Sequence, residues 1–101
     1  MKYLLEQNIL TEWDDDKNEE NIKKHGLDFK TAELVFSDEY RVELFDEQHS
    51  ADEERYITIG MVNDILFVVY TLRDERYRLI SARLATKKER QMYYGYYKKQ
   101  C

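Results

Sequence analysis

The sequence predicts an α+β domain, an antiparallel sheet with helices packed on one face, in the order β-α-α-β-β-β-(β)-α. Three observations carry this. Residues 66–90, LFVVYTLRDERYRLISARLATKKER, hold two apolar runs joined by a charged tetrapeptide, the pattern of an antiparallel hairpin. Residues 14–36 hold two helix signatures in succession, each opened by an aspartate. Helical and strand signatures therefore come in runs, which separates α+β from an alternating α/β chain.

The elements follow in order. Residues 2–12, KYLLEQNILTE, alternate loosely and suit a first edge strand. Asp14 is a helix N-cap, and Asp15 and Asp16 sit where acids favour the helix dipole. That helix runs to about residue 25, with Gly26 as its left-handed stop. One stripe of it carries Asn18, Asn21, Ile22 and His25, so amides and an imidazole stand where most helices put aliphatics. The amides are best suited to tying the helix to a backbone edge. Asp28 caps a second short helix, FKTAELVF, and residues 37–40 break it. Residues 41–45 alternate as a strand with Val42 and Leu44 on one side, and 46–54 form a polar loop expected to be solvated and mobile. Residues 55–62 are a strand with Arg55, Ile57, Ile59 and Met61 on one face, and Asn63-Asp64 suits a two-residue turn. Strands at 66–72 and 77–84 follow. Alternation on the last strand puts Tyr77, Leu79, Ser81 and Arg83 on one face and Arg78, Ile80, Ala82 and Leu84 on the other. Thr86 to Glu89 is a capping box opening a final helix toward residue 99, for which Gly95 offers an earlier stop.

The 101 residues make one domain, 1–101. With 43% hydrophobic and 37% charged residues, the chain can bury a core and remain soluble. The longest uncharged apolar run, 65–72, is far too short to span a bilayer, and MKYLLEQN lacks a signal-peptide core. The lone cysteine, Cys101, cannot form an internal disulfide, so a cytoplasmic location with no membrane contact is expected. The net charge of −5 hides an asymmetry. Residues 1–54 hold 17 acids and 6 bases, and residues 55–101 hold 4 acids and 10 bases. An acidic whole argues against nonspecific nucleic-acid binding, while the basic half suits a specific anion or an acidic partner. The two halves can equally neutralise each other in the fold.

No metal-binding pattern, nucleotide loop or nucleophile elbow is present, so neither a metal nor a cofactor is expected. What remains is a cationic set with one imidazole: Arg73, Arg76, Arg78 and Arg83 from the hairpin, Arg55 from the preceding strand, and Lys24 and His25 from the first helix. Arginine forks match phosphate oxygens, and histidine moves protons near neutrality. Together they suffice for metal-free RNA cleavage, in which the 2′-hydroxyl attacks the adjacent phosphate. Structural roles compete at each position: a helix C-terminal contact for His25, an ion pair for Arg83, solvated turn positions for Arg73 and Arg76. Tyr93, Tyr94, Tyr96 and Tyr97 suit docking of the last helix or a partner surface. From the residues alone, a non-catalytic module whose basic face docks an acidic protein is the alternative.

WDDDKNEENIKKHG at 13–26, FKTAELVF at 29–36, HSADEERYITIG at 49–60 and VVYTLRDERYRLISARLATKKER at 68–90 resemble the BrnT family of type II toxins. The longer segment before Trp13 and the tyrosine-rich end depart from the family pattern, and its third motif is met by Glu53 or Glu54 ahead of Arg55. The resemblance implies a small RelE-like domain that cleaves RNA and halts translation. It implies a cognate ribbon-helix-helix antitoxin, operator DNA bound only through the toxin–antitoxin complex, and room for a homodimer within that complex. Matched positions give Lys24 and His25 of KHG, Arg55, Arg73 of YTxR and Arg83 of ISAR. On physical grounds Arg73 and Arg83 are cast as phosphate clamps and His25 as the proton shuttle. Lys24 and Arg55 become supporting cations, and Tyr70 and Ser81 positioning groups. His25, Arg73 and Arg83 are expected to converge on one concave surface.

Overall fold

The computed structural model describes residues 9–49, 51 and 53–100, and the backbone alone for 97–100. Residues 2–8 of the expected first strand, the Tyr97 side chain and Cys101 lie outside the described residues. The first described strand is β1, Thr11–Glu12. Helix α1, Asp15–His25, is set by its ends. Asp14 accepts from the Asp16 N–H at 2.8 Å, and Gly26, at φ 71°, donates to the Ile22 carbonyl at 2.8 Å. Helix α2 spans only Phe29–Ala32, capped by Asp28, and passes into a 3₁₀ helix at Glu33–Ser37. The sequence reading expected one α-helix here. Phe29, Ala32 and Val35 are all fully buried, and their spacing of three suits three residues per turn better than 3.6.

The sheet is built from β2 (Val42–Phe45), β3 (Tyr56–Val62), β4 (Asp64–Arg73) and β5 (Arg76–Leu84) as an antiparallel meander. β1 joins at the β5 edge, so among the described residues the order is β1-β5-β4-β3-β2. An all-antiparallel sheet was expected, but β1 pairs with β5 in parallel, tied by the Tyr77 N–H to the Leu10 carbonyl. The first turn is tighter than expected: Val62 pairs with Asp64 around Asn63 alone, at φ 62°. The second turns on Asp74 and Glu75, both at positive φ, the geometry that matches strand twist in a two-residue hairpin.

Two layers pack on the sheet, one on each face. On the first face, Phe29, Ala32, Val35 and Phe36 cover Leu66, Val68, Tyr70, Leu79 and Ala82. Tyr56, Tyr70 and Tyr77 stack in a row, and Phe36 meets the last two edge-on at 5.2 and 5.0 Å. On the second face, Tyr93 of helix α3, Lys87–Gln100, packs on Ile59 and Ile65, with Val42, Leu44, Ile57 and Phe67 around them. The expectation of helices on one face is corrected here. Strand alternation puts Ile65 and Leu66 on opposite sides, and both sides are apolar enough to need cover. Helix α3 runs through Gly95 without a break.

Candidate functional site

Helix α1 is fastened to the sheet by an amide. Asn21, 5% exposed, donates to the Ala82 carbonyl at 2.8 Å and to the Leu27 carbonyl at 2.9 Å. It accepts from the Ala82 N–H at 3.0 Å. The side chain thus serves the free edge of β5 as a neighbouring strand would. Asn18 accepts from the Phe29 N–H and so steadies the start of α2. Both asparagines take the backbone-tying role expected of them. This docking brings the last turn of α1 against the middle of β5. Lys17, Glu20, Asn21, Lys24 and His25 line a hollow whose other wall is Ile80 and Ser81.

A bulge shapes that wall. Val69 pairs with Ser81 but Tyr70 pairs with Leu79, so Ile80 is an extra residue on β5. The simple alternation expected for this strand is therefore corrected. Tyr77 and Leu79 share the first core face with Ala82, while Arg78, paired with Thr71, lies on the Ser81 and Arg83 side. Ile80 and Ser81 both border a second hollow of about 380 Å³ on the other face. It is lined also by Asp46, Gln48, His49, Arg55, Ile57, Phe67, Val69 and Arg83. A third, lined by His49, Ala51, Glu53 and Arg55, continues it past the end of β3. The three share residues in succession and so form one groove from α1 toward the hairpin tip.

Arg83 is held in it by two contacts. Its guanidinium lies 4.0 Å from the Phe67 ring centre and forks onto Glu89 at 2.8 and 3.0 Å. Glu89 is also the acid of the expected capping box. Its Oε1 accepts from the Thr86 N–H at 2.8 Å, and its own N–H reaches the Thr86 hydroxyl. Chiefly through the Arg83 hydrogen bonds, its carboxyl is held below the usual glutamate range. The polar loop before β3 is tied at both ends. The Asp46 N–H donates to the Arg55 carbonyl at 2.9 Å, and the Thr71 hydroxyl to the Glu54 carbonyl at 2.7 Å. On its 3₁₀ turn, Glu47–His49, the His49 Nδ1 lies 3.0 Å from the Asp46 carboxylate.

The expected site residues divide accordingly. Lys24 and His25 line the first hollow, Arg55 and Arg83 the second, and Ser81 both. Arg73 lines none of the three; at the hairpin tip it donates to Glu53 at 3.2 Å. Arg76 and Arg78 pair with Glu12 at 3.8 and 3.0 Å, so the acidic half neutralises much of the hairpin. Tyr70 does not reach the groove. It is 3% exposed on the opposite face, and its hydroxyl donates to Glu43 at 2.9 Å. Burial, and then the Glu43 charge, push its ionisation well above the ordinary tyrosine value. The sequence reading missed Glu89 as the partner of Arg83, and Asp46 and His49 as groove residues. The spacing of three between Asp46 and His49 was the available signal. Among the described residues no three His, Cys, Asp or Glu side chains are grouped to hold a metal. No described helix is long and apolar enough to cross a membrane.

Comparison with known proteins gives two findings. A family model described as "Ribonuclease toxin, BrnT, of type II toxin-antitoxin system" matches residues 13–89. The crystal structure of the Brucella abortus ribonuclease toxin BrnT is similar, with 29% sequence identity and a TM-score of 0.58 over 79% of this chain and 100% of that one. No curated protein matches.

Proposed function

This chain belongs to the BrnT family of ribonuclease toxins of type II toxin–antitoxin systems, and from that premise we propose that it is a metal-independent endoribonuclease that arrests translation until a cognate antitoxin neutralises it. The observation that carries the reading is the pairing of Arg55 and Arg83 in one hollow, joined across Ser81 to the hollow of Lys24 and His25. Two guanidiniums over an apolar floor suit a phosphate whose charge grows in the transition state. Arg83 acts as the main clamp, held at working distance by Glu89, and Arg55 supports it. His25 gives its proton to the leaving oxygen, Lys24 draws the strand toward α1, and Ser81 positions the phosphate between them. Arg73, beside Glu53 at the far end, clamps a flanking phosphate. The domain, 1–101, works in the cytoplasm with a ribbon-helix-helix antitoxin, meets operator DNA only through that complex, and forms a homodimer within it.

The test is inducible expression with and without the antitoxin, scored by growth and RNA integrity, followed by cleavage assays on the purified protein. Wild type is expected to arrest growth and degrade RNA, and cleavage is expected to survive EDTA. Arg83→Ala is expected to lose at least about 10²-fold in cleavage rate. Its stability should change by only about 1 kcal/mol, because the Arg83–Glu89 pair is one-third exposed at the arginine. Growth arrest by Arg83→Ala would remove the clamp role, and loss of cleavage in EDTA would remove metal independence. A wild type that binds the antitoxin yet leaves RNA intact would favour the docking module.

A further inference from the structure

Asp46 and His49 have no role in the assignment above, yet they form an ordered pair inside the groove. The His49 Nδ1 lies 3.0 and 3.2 Å from the two Asp46 oxygens. The 3₁₀ turn brings positions three apart to one side, and the Asp46 N–H anchors it to the Arg55 carbonyl. The Asp46 side chain is 13% exposed and that of His49 is 63% exposed, so the carboxylate is covered while the imidazole remains open. A carboxylate that accepts from Nδ1–H leaves Nε2 with the lone pair. Both residues line the second hollow with Arg55 and Arg83, and His49 also lines the third with Glu53 and Arg55.

From this geometry we infer that His49, oriented by Asp46, is the general base that takes the proton of the attacking 2′-hydroxyl. The inference rests on the proposed ribonuclease function and deepens it. The 2′-oxygen forms a bond to phosphorus while the bond from phosphorus to the 5′-oxygen breaks. The 2′ proton passes to His49 Nε2, and the leaving 5′-oxygen takes the His25 proton. The products are a 2′,3′-cyclic phosphate and a 5′-hydroxyl, with Arg55 and Arg83 holding the charge on the nonbridging oxygens. Among the described residues, the charged groups that line these hollows with His49 are Asp46, Arg55, Arg83 and Glu53.

Cleavage of a labelled RNA is followed across about pH 5 to 9, with and without ribosomes. A base accepts a proton only when neutral, so the wild-type rate falls on the acid side. His49→Gln is expected to lower the rate by about 10²-fold and to flatten that acid-side fall. Asp46→Asn is expected to lose less, about 10-fold, because it disturbs the orientation of the base and leaves the base in place. Added imidazole is expected to restore part of the rate to His49→Ala, a response that a purely structural role leaves unmoved. His49→Gln with the wild-type rate and profile overturns the assignment while RNA cleavage stands. A wild type that cuts no RNA under either condition overturns both.

Discussion

Glu89 carries two roles on one carboxylate. It closes the N-terminus of α3 by accepting from the Thr86 N–H, and it fixes the guanidinium of Arg83 over Phe67. The first role was legible, because the capping box is a four-residue pattern. The second was not, because no local pattern sets the corner between β5 and α3 that brings Glu89 back onto Arg83. A glutamate held below its ordinary value binds its proton less readily folded than unfolded. Its stabilisation is therefore complete above the ordinary range near pH 4.5 and is lost as pH falls through the lowered folded value. Thermal melts of wild type should lose stability over that acid window, and Glu89→Gln should flatten the loss while lowering the melting temperature at neutral pH. Tyr70 teaches the converse lesson. Its place in the YTxR motif suggested substrate contact, but alternation along β4 puts it with Leu66 and Val68 in the core. In the fold it packs between Tyr56 and Tyr77 and donates a hydrogen bond to Glu43.

At the scale of elements, the docking of α1 on β5 decides whether a groove exists. Helix ends were readable because caps act within one turn. The amide stripe was readable as a backbone tie. Which backbone it ties was not, since Ala82 lies 61 residues further along the chain. Asn21→Leu leaves the Ala82 N–H and C=O without their side-chain partner in a buried place. A destabilisation of about 3 kcal/mol is expected from urea unfolding, together with reduced cleavage because Lys24 and His25 lose their support. A stability within about 0.5 kcal/mol of wild type would show that water replaces the amide. The β5 bulge belongs at this scale too. It turns Ile80 and Ser81 to the groove in succession, and strict alternation cannot place both there.

For the whole molecule, the second layer is the main surprise. Helix α3 crosses to the face opposite α1 and α2, and Asp38 joins the layers. Its carboxylate accepts from the Met61 N–H at 2.8 Å, the Tyr93 hydroxyl at 2.7 Å and the Tyr40 N–H at 2.9 Å. Asp38 thus links the segment after the 3₁₀ helix, strand β3 and helix α3. Asp38→Ala is expected to cost about 2–4 kcal/mol, read as a lower urea midpoint. Near-ultraviolet circular dichroism should change with it, since Tyr93 loses its anchor. Unaltered signals would show that the docking of α3 does not depend on the Asp38–Tyr93 hydrogen bond. The charge asymmetry resolves at this scale: Glu12 and Glu53 of the acidic half meet Arg76, Arg78 and Arg73, while Arg83 finds its acid within its own half.

By itself the sequence determined the α+β class, the helix ends, the main hairpin and the motifs that carry the family resemblance. Each of these depends on neighbours within a few positions, where caps, turns and alternation act. Only the tertiary structure decided the parallel docking of β1, the face of Arg78, the crossing of α3 and the meeting of His49 with Arg55 and Arg83. Those depend on register between distant segments, and one extra residue in β5 exchanges the faces of everything beyond it.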